Sequence, residues 1–188
     1  MTLFDNIIYE TMAFLENKGT ILYPTDTVWG IGCDATCYQA VQKIFNIKKR
    51  DERKSFILLV SDVEMLQKYV DVSKEILLFL EKQIKPTTVI YNNPKSLALN
   101  VIAQNNTVAI RIVKNDFCQK LIRKFGKPIV STSANISGES TPHFFKEIHD
   151  NIKNAVDFIV PLEQEKMDYT PPSQLVKIEN EEFIFLRK

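Results

Sequence analysis

Apolar positions recur along the chain in two patterns, one with the period of a helix and one in short continuous runs. The first segment shows the helical pattern, with apolar side chains on one face at Phe4, Ile7, Ile8, Met12 and Leu15. Gly19 follows as a helix stop. Continuous runs such as 56–60 predict buried strands.

These patterns predict a chain of alternating helices and strands. The predicted helices cover 3–18, 38–49, 62–69, 73–83, 116–125 and 142–150. The predicted strands cover 20–24, 56–60, 87–91, 107–113, 128–132 and 156–161. Residues 173–188 alternate apolar and polar positions on both sides of the polar turn "ENEE", which predicts a hairpin.

Interleaved helices and strands predict an α/β (α+β) fold. Several strands are apolar throughout, as expected where helices cover both faces of a sheet. The strand-rich C-terminus favours a mixed parallel and antiparallel sheet over a purely parallel one. A chain of 188 residues without repeats or a long linker predicts one domain over 1–188.

Composition excludes several classes of protein. The formal net charge is +1 at pH 7, so no overall field draws the chain to nucleic acid or membrane, and a basic site must be local. No apolar run approaches the ~20 residues that span a bilayer, and the N-terminus does not resemble a signal peptide. Three cysteines favour a reducing compartment. We expect a soluble cytoplasmic protein that does not associate with membranes.

Common catalytic motifs are missing from the sequence. Cys33 and Cys37 have no second pair at zinc spacing, and His143 and His149 do not have the spacing of a metal pair, so we predict no protein-bound metal. "GIGCDA" at 30–35 does not directly join a strand to a helix, as a dinucleotide fingerprint requires. Ser131 has no evident His–Asp partner. If the chain is an enzyme, we expect it to depend on neither a nucleophile–base pair nor a protein-bound metal.

The stretch "STSANISG" at 131–138 places small hydroxyl and amide side chains directly after a buried strand. One interpretation is a simple turn, since these side chains bond nearby backbone groups. The other is a polar cradle at the end of a strand, where open α/β sheets bind ligands.

Cations are concentrated at 47–55, between a predicted helix and a predicted strand. A solvated helix end is one interpretation, because cations are favourable near the C-terminal dipole. An anion site is the other, in which Arg50 grips a phosphate or carboxylate. Arg111 lies within a strand and can face solvent or line an anion-binding cleft. Thr25 and Thr27 add hydroxyls after the first strand, with Trp29 either in the core or available for stacking.

Four stretches, "YPTDTVWGIGCDA", "IKKRDERKSFILLV", "VAIRI" and "STSANISGEST", resemble the YrdC-like threonylcarbamoyl-AMP synthases in order and spacing. The resemblance runs from about Gly19 to Ser173. It implies a twisted mixed sheet flanked by helices around a positively charged concave cleft. It also implies the synthesis of threonylcarbamoyl-adenylate and pyrophosphate from ATP, bicarbonate and L-threonine, for the threonylcarbamoyladenosine modification of tRNA.

The resemblance also implies roles for individual residues. The expected catalytic pair is Lys48 and Arg50. The expected ATP-binding residues are Lys48, Arg50, Lys54, Thr107, Ser131, Ser133, Asn135 and Thr141. The expected threonine-binding residues are Thr25, Arg111 and Ser173, with the choice between Thr25 and Thr27 open. Mg²⁺ is expected to arrive with ATP, and tRNA-modifying transferases are the expected downstream partners.

Some positions depart from the family pattern, among them Asp51 after the K-x-R motif and "IKPTT" at 84–88, which keeps only Pro86 and Thr88 of a longer element. Two alternatives stay open. One is a module that binds double-stranded RNA or tRNA through the same basic cleft. The other is an enzyme that transfers a carbamoyl group to another acceptor.

Overall fold

The computed structural model describes residues 2–162, 171–179 and 182–188. Its helices are α1 (Leu3–Glu16), α2 (Tyr38–Lys48), α3 (Val63–Tyr69), α4 (Lys74–Glu81), α5 (Asp116–Phe125) and α6 (Asp150–Lys153). Its strands are β1 (Ile21–Tyr23), β2 (Gly30–Gly32), β3 (Ile57–Val60), β4 (Thr87–Asn92), β5 (Thr107–Ile112), β6 (Ile129–Ser133), β7 (Phe158–Ile159), β8 (Gln174–Glu179) and β9 (Glu182–Arg187). Short 3₁₀ turns cover Leu99–Val101 and Phe145–Glu147.

The described strands form one sheet in the order β7-β1-β2-β6-β3-β5-β4-β8-β9. The pairs β1–β7, β3–β5 and β4–β8 are parallel, and the other neighbours are antiparallel. The α1 helix packs on α5 and β1, while α3 packs on β3 and β5. The predicted mixed sheet flanked by helices is therefore confirmed.

Helix boundaries follow local chemistry. Thr2 accepts from the Asp5 N–H, and the Asp5 carboxylate accepts from the Thr2 N–H, which makes a capping box at the start of α1. Asn115 caps α5 by accepting from the Cys118 N–H. Gly126, with φ +75°, ends α5 in the left-handed conformation that glycine tolerates. The predicted end of this helix is confirmed.

Trp29 belongs to the core rather than to a stacking platform. It is fully buried, and its ring contacts that of Phe145 with 4.9 Å between centroids. Cys33, Cys37 and Cys118 are unpaired. Among the described helices, none has the length and apolar character needed to cross a membrane.

The structure departs from the predicted elements in two places. Residues 30–32 form β2, which the sequence pattern does not predict, because two glycines have low strand propensity and only pairing to β1 and β6 makes this segment a strand. The predicted helix 142–150 is wrong. A 3₁₀ turn occupies Phe145–Glu147 and α6 begins at Asp150, because the chain is extended at Ile148 and His149.

Candidate active site

A cavity of about 210 Å³ opens where several strand ends meet the C-terminal hairpin. Its walls come from the loop after β1, the strand β2, the segment that leads into β3, the strands β5 and β6, the loop after β6 and both ends of the hairpin. The predicted site residues that line it are Thr25, Arg50, Arg111, Ser131, Ser133, Thr141 and Ser173. Lys48, Lys54, Thr107 and Asn135 do not line it.

Arg111 presents a buried cation to this cavity, with a side chain only 4% exposed. Its Nη1 lies 2.7 Å from Oδ1 of Asp26, and the other Asp26 oxygen accepts the Lys114 backbone N–H at 3.0 Å. The Nε and Nη1 atoms of Arg111 make no hydrogen bond of good geometry within the described residues. Because Nη1 is already paired with the Asp26 carboxylate, Nε is the buried donor that lacks an acceptor among the described residues. Buried donors normally have acceptors, so Nε can serve a ligand carboxylate.

The Thr25 and Thr27 hydroxyls both line the cavity, but only one has free hydrogen-bonding capacity. Thr25 donates to the Val28 carbonyl at 2.8 Å and accepts the Thr27 N–H at 3.1 Å. The two hydroxyl oxygens are 3.1 Å apart. Since a hydroxyl has one hydrogen, Thr27 must donate in this pair, which fills both acceptor positions of Thr25. Thr27 is therefore the hydroxyl whose oxygen remains able to accept from a ligand.

Arg50 forms part of the cavity wall and also anchors the loop beside it. Its Nε donates to the Lys54 carbonyl at 2.9 Å and its Nη2 to the Ser55 carbonyl at 3.0 Å. The guanidinium lies 5.1 Å from the centroid of the Phe56 ring. Burial lowers the pKa of Arg50. Lys54 is exposed beside this loop, outside the lining residues.

Lys48 lies beneath the loop that follows β6. It is 1% exposed, and its Nζ donates to the Ser133 carbonyl at 2.5 Å and the Asn135 carbonyl at 2.6 Å. Its own carbonyl accepts the Ser137 N–H at 2.8 Å. Burial first, and the Arg50 charge second, lowers the pKa of Lys48 to about 7. This geometry favours a loop-holding role for Lys48 over the predicted direct phosphate contact.

The loop that carries the S-x-N pattern is divided between lining and supporting residues. Ser131 and Ser133 line the cavity. The Asn135 Nδ2 instead donates to the Ile136 carbonyl at 2.9 Å and the Glu139 carbonyl at 2.8 Å. Both interpretations of the stretch 131–138 therefore hold in part. Its first residues are the end of β6 and face the cavity, whereas the following residues form a turn held by hydrogen bonds from Asn135 and Lys48.

Thr107, a predicted ATP-binding residue, lies away from the cavity. It begins β5, four positions before Arg111, and its hydroxyl donates to Oδ1 of Asn105 at 2.7 Å. It is buried and does not line the cavity. Its role in ATP binding stays a prediction.

Sequence reasoning missed Arg187, which lines the cavity from β9. Its Nε donates to the Ser173 carbonyl at 2.9 Å. Burial first, and the Arg111 charge second, lowers the pKa of Arg187. A register shift beside Leu175 alters the pairing of β8 with β9 close to this arginine. No local pattern signals this role, because an arginine at the end of a hairpin normally faces solvent.

Comparison with known proteins places these residues in a family. A family model named for Sua5, YciO and YrdC, and described as telomere recombination, matches residues 13–188. The chain belongs to this family. A Sua5/YciO/YrdC relative from Psychromonas ingrahamii, named threonylcarbamoyl-AMP synthase, is 34% identical over 132 residues, which are 68% of this chain and 69% of the relative.

Two solved structures of the Sua5/YciO/YrdC family share this fold. Sua5 of P. abyssi, complexed with L-threonine, matches with a TM-score of 0.88 and 22% identity over 100% of this chain. The match covers 55% of that Sua5 chain, so this chain spans about half its length. YciO of E. coli matches with a TM-score of 0.83 and 22% identity, covering 97% of this chain and 89% of YciO.

Proposed function

We propose that the chain is an L-threonylcarbamoyladenylate synthase, which makes threonylcarbamoyl-AMP and pyrophosphate from ATP, bicarbonate and L-threonine. The observation that carries the proposal is the buried Arg111 guanidinium, which pairs with Asp26 through Nη1 and has no acceptor at Nε among the described residues. It lies in a hydroxyl-lined cavity that Arg50 and Arg187 also line. Relatives named threonylcarbamoyl-AMP synthase support the same reaction.

The threonine end of the site is assigned to Arg111, Ser173 and Thr27. The carboxylate of L-threonine binds the Arg111 guanidinium, which suits a planar anion. Ser173, only 5% exposed, lines the same cavity and offers a hydroxyl to this group. The oxygen of Thr27 accepts a hydrogen from the substrate. Thr25, the predicted contact, fixes Thr27 in place.

The nucleotide end is assigned to the opposite wall. Arg50 meets the phosphates from this wall as a charged donor, and Lys54 adds charge at the rim. Arg187 reaches the phosphates from the other side, where its Nε donates to the Ser173 carbonyl. Hydroxyls from β6 and the following loop surround the nucleotide, namely those of Ser131, Ser133 and Thr141. We expect Mg²⁺ to enter as the ATP complex.

The reaction joins parts of three substrates without a protein nucleophile. The threonine nitrogen forms a bond to the carbon of bicarbonate or CO₂, and water or a proton leaves. A carbamate oxygen then bonds to the α-phosphorus of ATP, and the bond to the pyrophosphate oxygen breaks. The protein contributes by holding both reactants in line and by stabilising the developing charge.

The product is a mixed anhydride, which reacts readily with nucleophiles. We propose that a tRNA-modifying transferase receives it, for the threonylcarbamoyladenosine modification. We place the reaction in the cytoplasm, which the three unpaired cysteines support.

The test is pyrophosphate release from Mg-ATP and bicarbonate, measured with and without L-threonine. We expect release that requires threonine and falls sharply in Arg111→Ala. Arg53→Ala is the matched control, because Arg53 is 75% exposed and pairs with Asp51 outside the cavity.

Two results would contradict the proposal. Release that does not depend on threonine, or that needs a different amine, would indicate a carbamoyl-transfer enzyme with another acceptor. A folded protein without release that binds double-stranded RNA with a steep salt dependence would indicate the RNA-binding alternative.

A further inference from the structure

Thr88 is fully buried on β4, and the proposed mechanism does not use its hydroxyl. β4 lies between β5 and β8 in the sheet. Thr88 pairs with Arg111 on one side and with Leu175, two residues after Ser173, on the other. It therefore sits between the two groups to which the proposed function assigns the threonine carboxylate.

The surroundings of the Thr88 and Ser173 hydroxyls determine which of the two donates to the other. The Thr88 Oγ1 and Ser173 Oγ atoms are 2.8 Å apart, and either can be the donor by distance alone. In the described part of the chain, Ser173 is the only hydrogen-bond partner of the Thr88 hydroxyl. If Ser173 donated, the Thr88 hydrogen would be buried without an acceptor, which is costly. Thr88 is therefore the donor.

Because Ser173 accepts the hydrogen bond from Thr88, its own hydroxyl hydrogen remains free to be donated. Its Oγ accepts from Thr88 and lies 3.4 Å from Nη2 of Arg187, a second donor. With its acceptor positions occupied, the Ser173 hydroxyl presents its own hydrogen to the cavity that it lines. Ser173 and Arg111 therefore both point hydrogen-bond donors into the cavity. Two donors in one wall suit a ligand with an anionic oxygen.

We propose that Thr88 is a positioning residue that makes Ser173 a hydrogen-bond donor toward the substrate carboxylate. The inference rests on the proposed function and deepens it, because it states how this wall selects a carboxylate over a carboxamide. An amide NH₂ at this point would face hydrogens rather than acceptors.

The test compares Thr88→Val, which keeps the shape and removes the hydroxyl, with the native protein. L-threonine binding is measured by calorimetry, and kcat and the KM values for L-threonine and ATP are measured by pyrophosphate release. We expect Kd and KM for L-threonine to rise about 3- to 10-fold, in the range for one neutral hydrogen bond. We expect kcat and the KM for ATP to stay unchanged.

Two further variants serve as a rescue and as a control. Thr88→Ser retains the hydroxyl and should restore threonine affinity. Thr87→Val is the matched control, since Thr87 is the neighbouring buried threonine. Its hydroxyl lies 2.9 Å from the Lys85 carbonyl and 3.1 Å from Oε1 of Gln174, and neither residue lines the cavity. This control should leave both KM values unchanged.

The outcomes separate this inference from the proposed function. Equal threonine affinity in Thr88→Val, or an equal rise in KM for ATP, would reduce Thr88 to a structural role and overturn the inference alone. A native protein that does not bind L-threonine would overturn both.

A measurement on the native protein covers the case in which Thr88→Val does not fold. NMR should detect a slowly exchanging hydroxyl proton on Thr88 and a rapidly exchanging one on Ser173. The opposite assignment would overturn the inference.

Discussion

Arg50 and Arg53 are three residues apart, yet their surroundings differ completely. Arg50 lines the cavity, donates to two backbone carbonyls and lies over the Phe56 ring. Arg53 is largely exposed and bonds to Asp51. At the scale of a single residue, side-chain direction therefore decides which cation of this cluster can act on a ligand.

We predict that Arg50→Ala lowers kcat/KM for ATP on the order of 100-fold, because it removes a fixed charge from the cavity wall and frees the adjoining loop. The measurement is pyrophosphate release over a range of ATP concentrations. Arg53→Ala should behave like the native protein. Equal losses in the two variants would show that only the overall charge of the loop matters.

We predict that the lowered pKa of Lys48 makes the stability of the fold depend on pH. The pKa of Lys48 is lowered to about 7 in the folded protein, against about 10.4 for an unfolded lysine. Between these values the unfolded state binds more protons, so the free energy of unfolding rises with pH. Below about pH 7 the penalty for burying the charge is fully present. Lys48→Met lacks this titration.

The comparison is urea unfolding of both proteins at pH 7, 8 and 9. The difference in free energy of unfolding, native minus Lys48→Met, should rise with pH, by at most about 1.4 kcal/mol per pH unit. Other groups titrate in both proteins and cancel in the difference. A constant difference across this range would mean that Lys48 keeps an ordinary pKa.

At the scale of the element, β2 joins the loop of Thr25 and Thr27 to the strand of Ser131 and Ser133. It pairs with β1 and β6, and it contains two glycines with different surroundings. A Cβ on Gly32 would lie 2.7 Å from the Tyr23 ring and 2.7 Å from the Val130 carbonyl. A Cβ on Gly30 would meet its nearest atoms at 3.4 Å.

We predict that Gly32→Ala and Gly30→Ala separate stability from activity. Gly32→Ala should lower the free energy of unfolding by about 1–3 kcal/mol, because backbone must move to admit the methyl group. Gly30→Ala should change stability little but raise the KM for L-threonine, since its methyl group would enter the cavity wall. Urea unfolding and KM measurements on both variants test this, and the reverse pattern would contradict it.

At the scale of the whole molecule, the cavity exists because distant parts of one sheet meet. Its walls combine the strands β2, β6, β3 and β5 with the hairpin, which pairs with β4 alone among the other described strands. A ligand that contacts all these walls binds the folded chain and not the unfolded one. Its binding free energy therefore adds to the stability of the fold.

We predict that Mg-ATP at 100 times its Kd raises the free energy of unfolding by about 2.7 kcal/mol. L-threonine should add a further increase that Arg111→Lys loses, because a lysine cannot make a bidentate contact with a carboxylate. Urea unfolding with each ligand alone and with both measures this. An Arg111→Lys protein that keeps the threonine increase would place the amino acid elsewhere.

Local sequence determined much of this protein. The helical spacing at 3–18, the apolar run at 56–60 and the alternation at 173–188 predict α1, β3 and the hairpin, because periodicity reflects which face is buried. The motifs around Arg50, Arg111 and Ser133 identify the family and the cavity wall.

Only the tertiary structure decided the remaining roles, because they depend on which backbone each side chain meets. Arg187 reaches the cavity through the pairing of β8 and β9, and Lys48 turns toward carbonyls 85 and 87 residues away in sequence. The Thr27 oxygen can still accept a hydrogen bond, because the Thr25 hydroxyl donates its hydrogen to the Val28 carbonyl and not to Thr27. A motif specifies residue types, whereas hydrogen-bond partners and burial follow from how the strands pair.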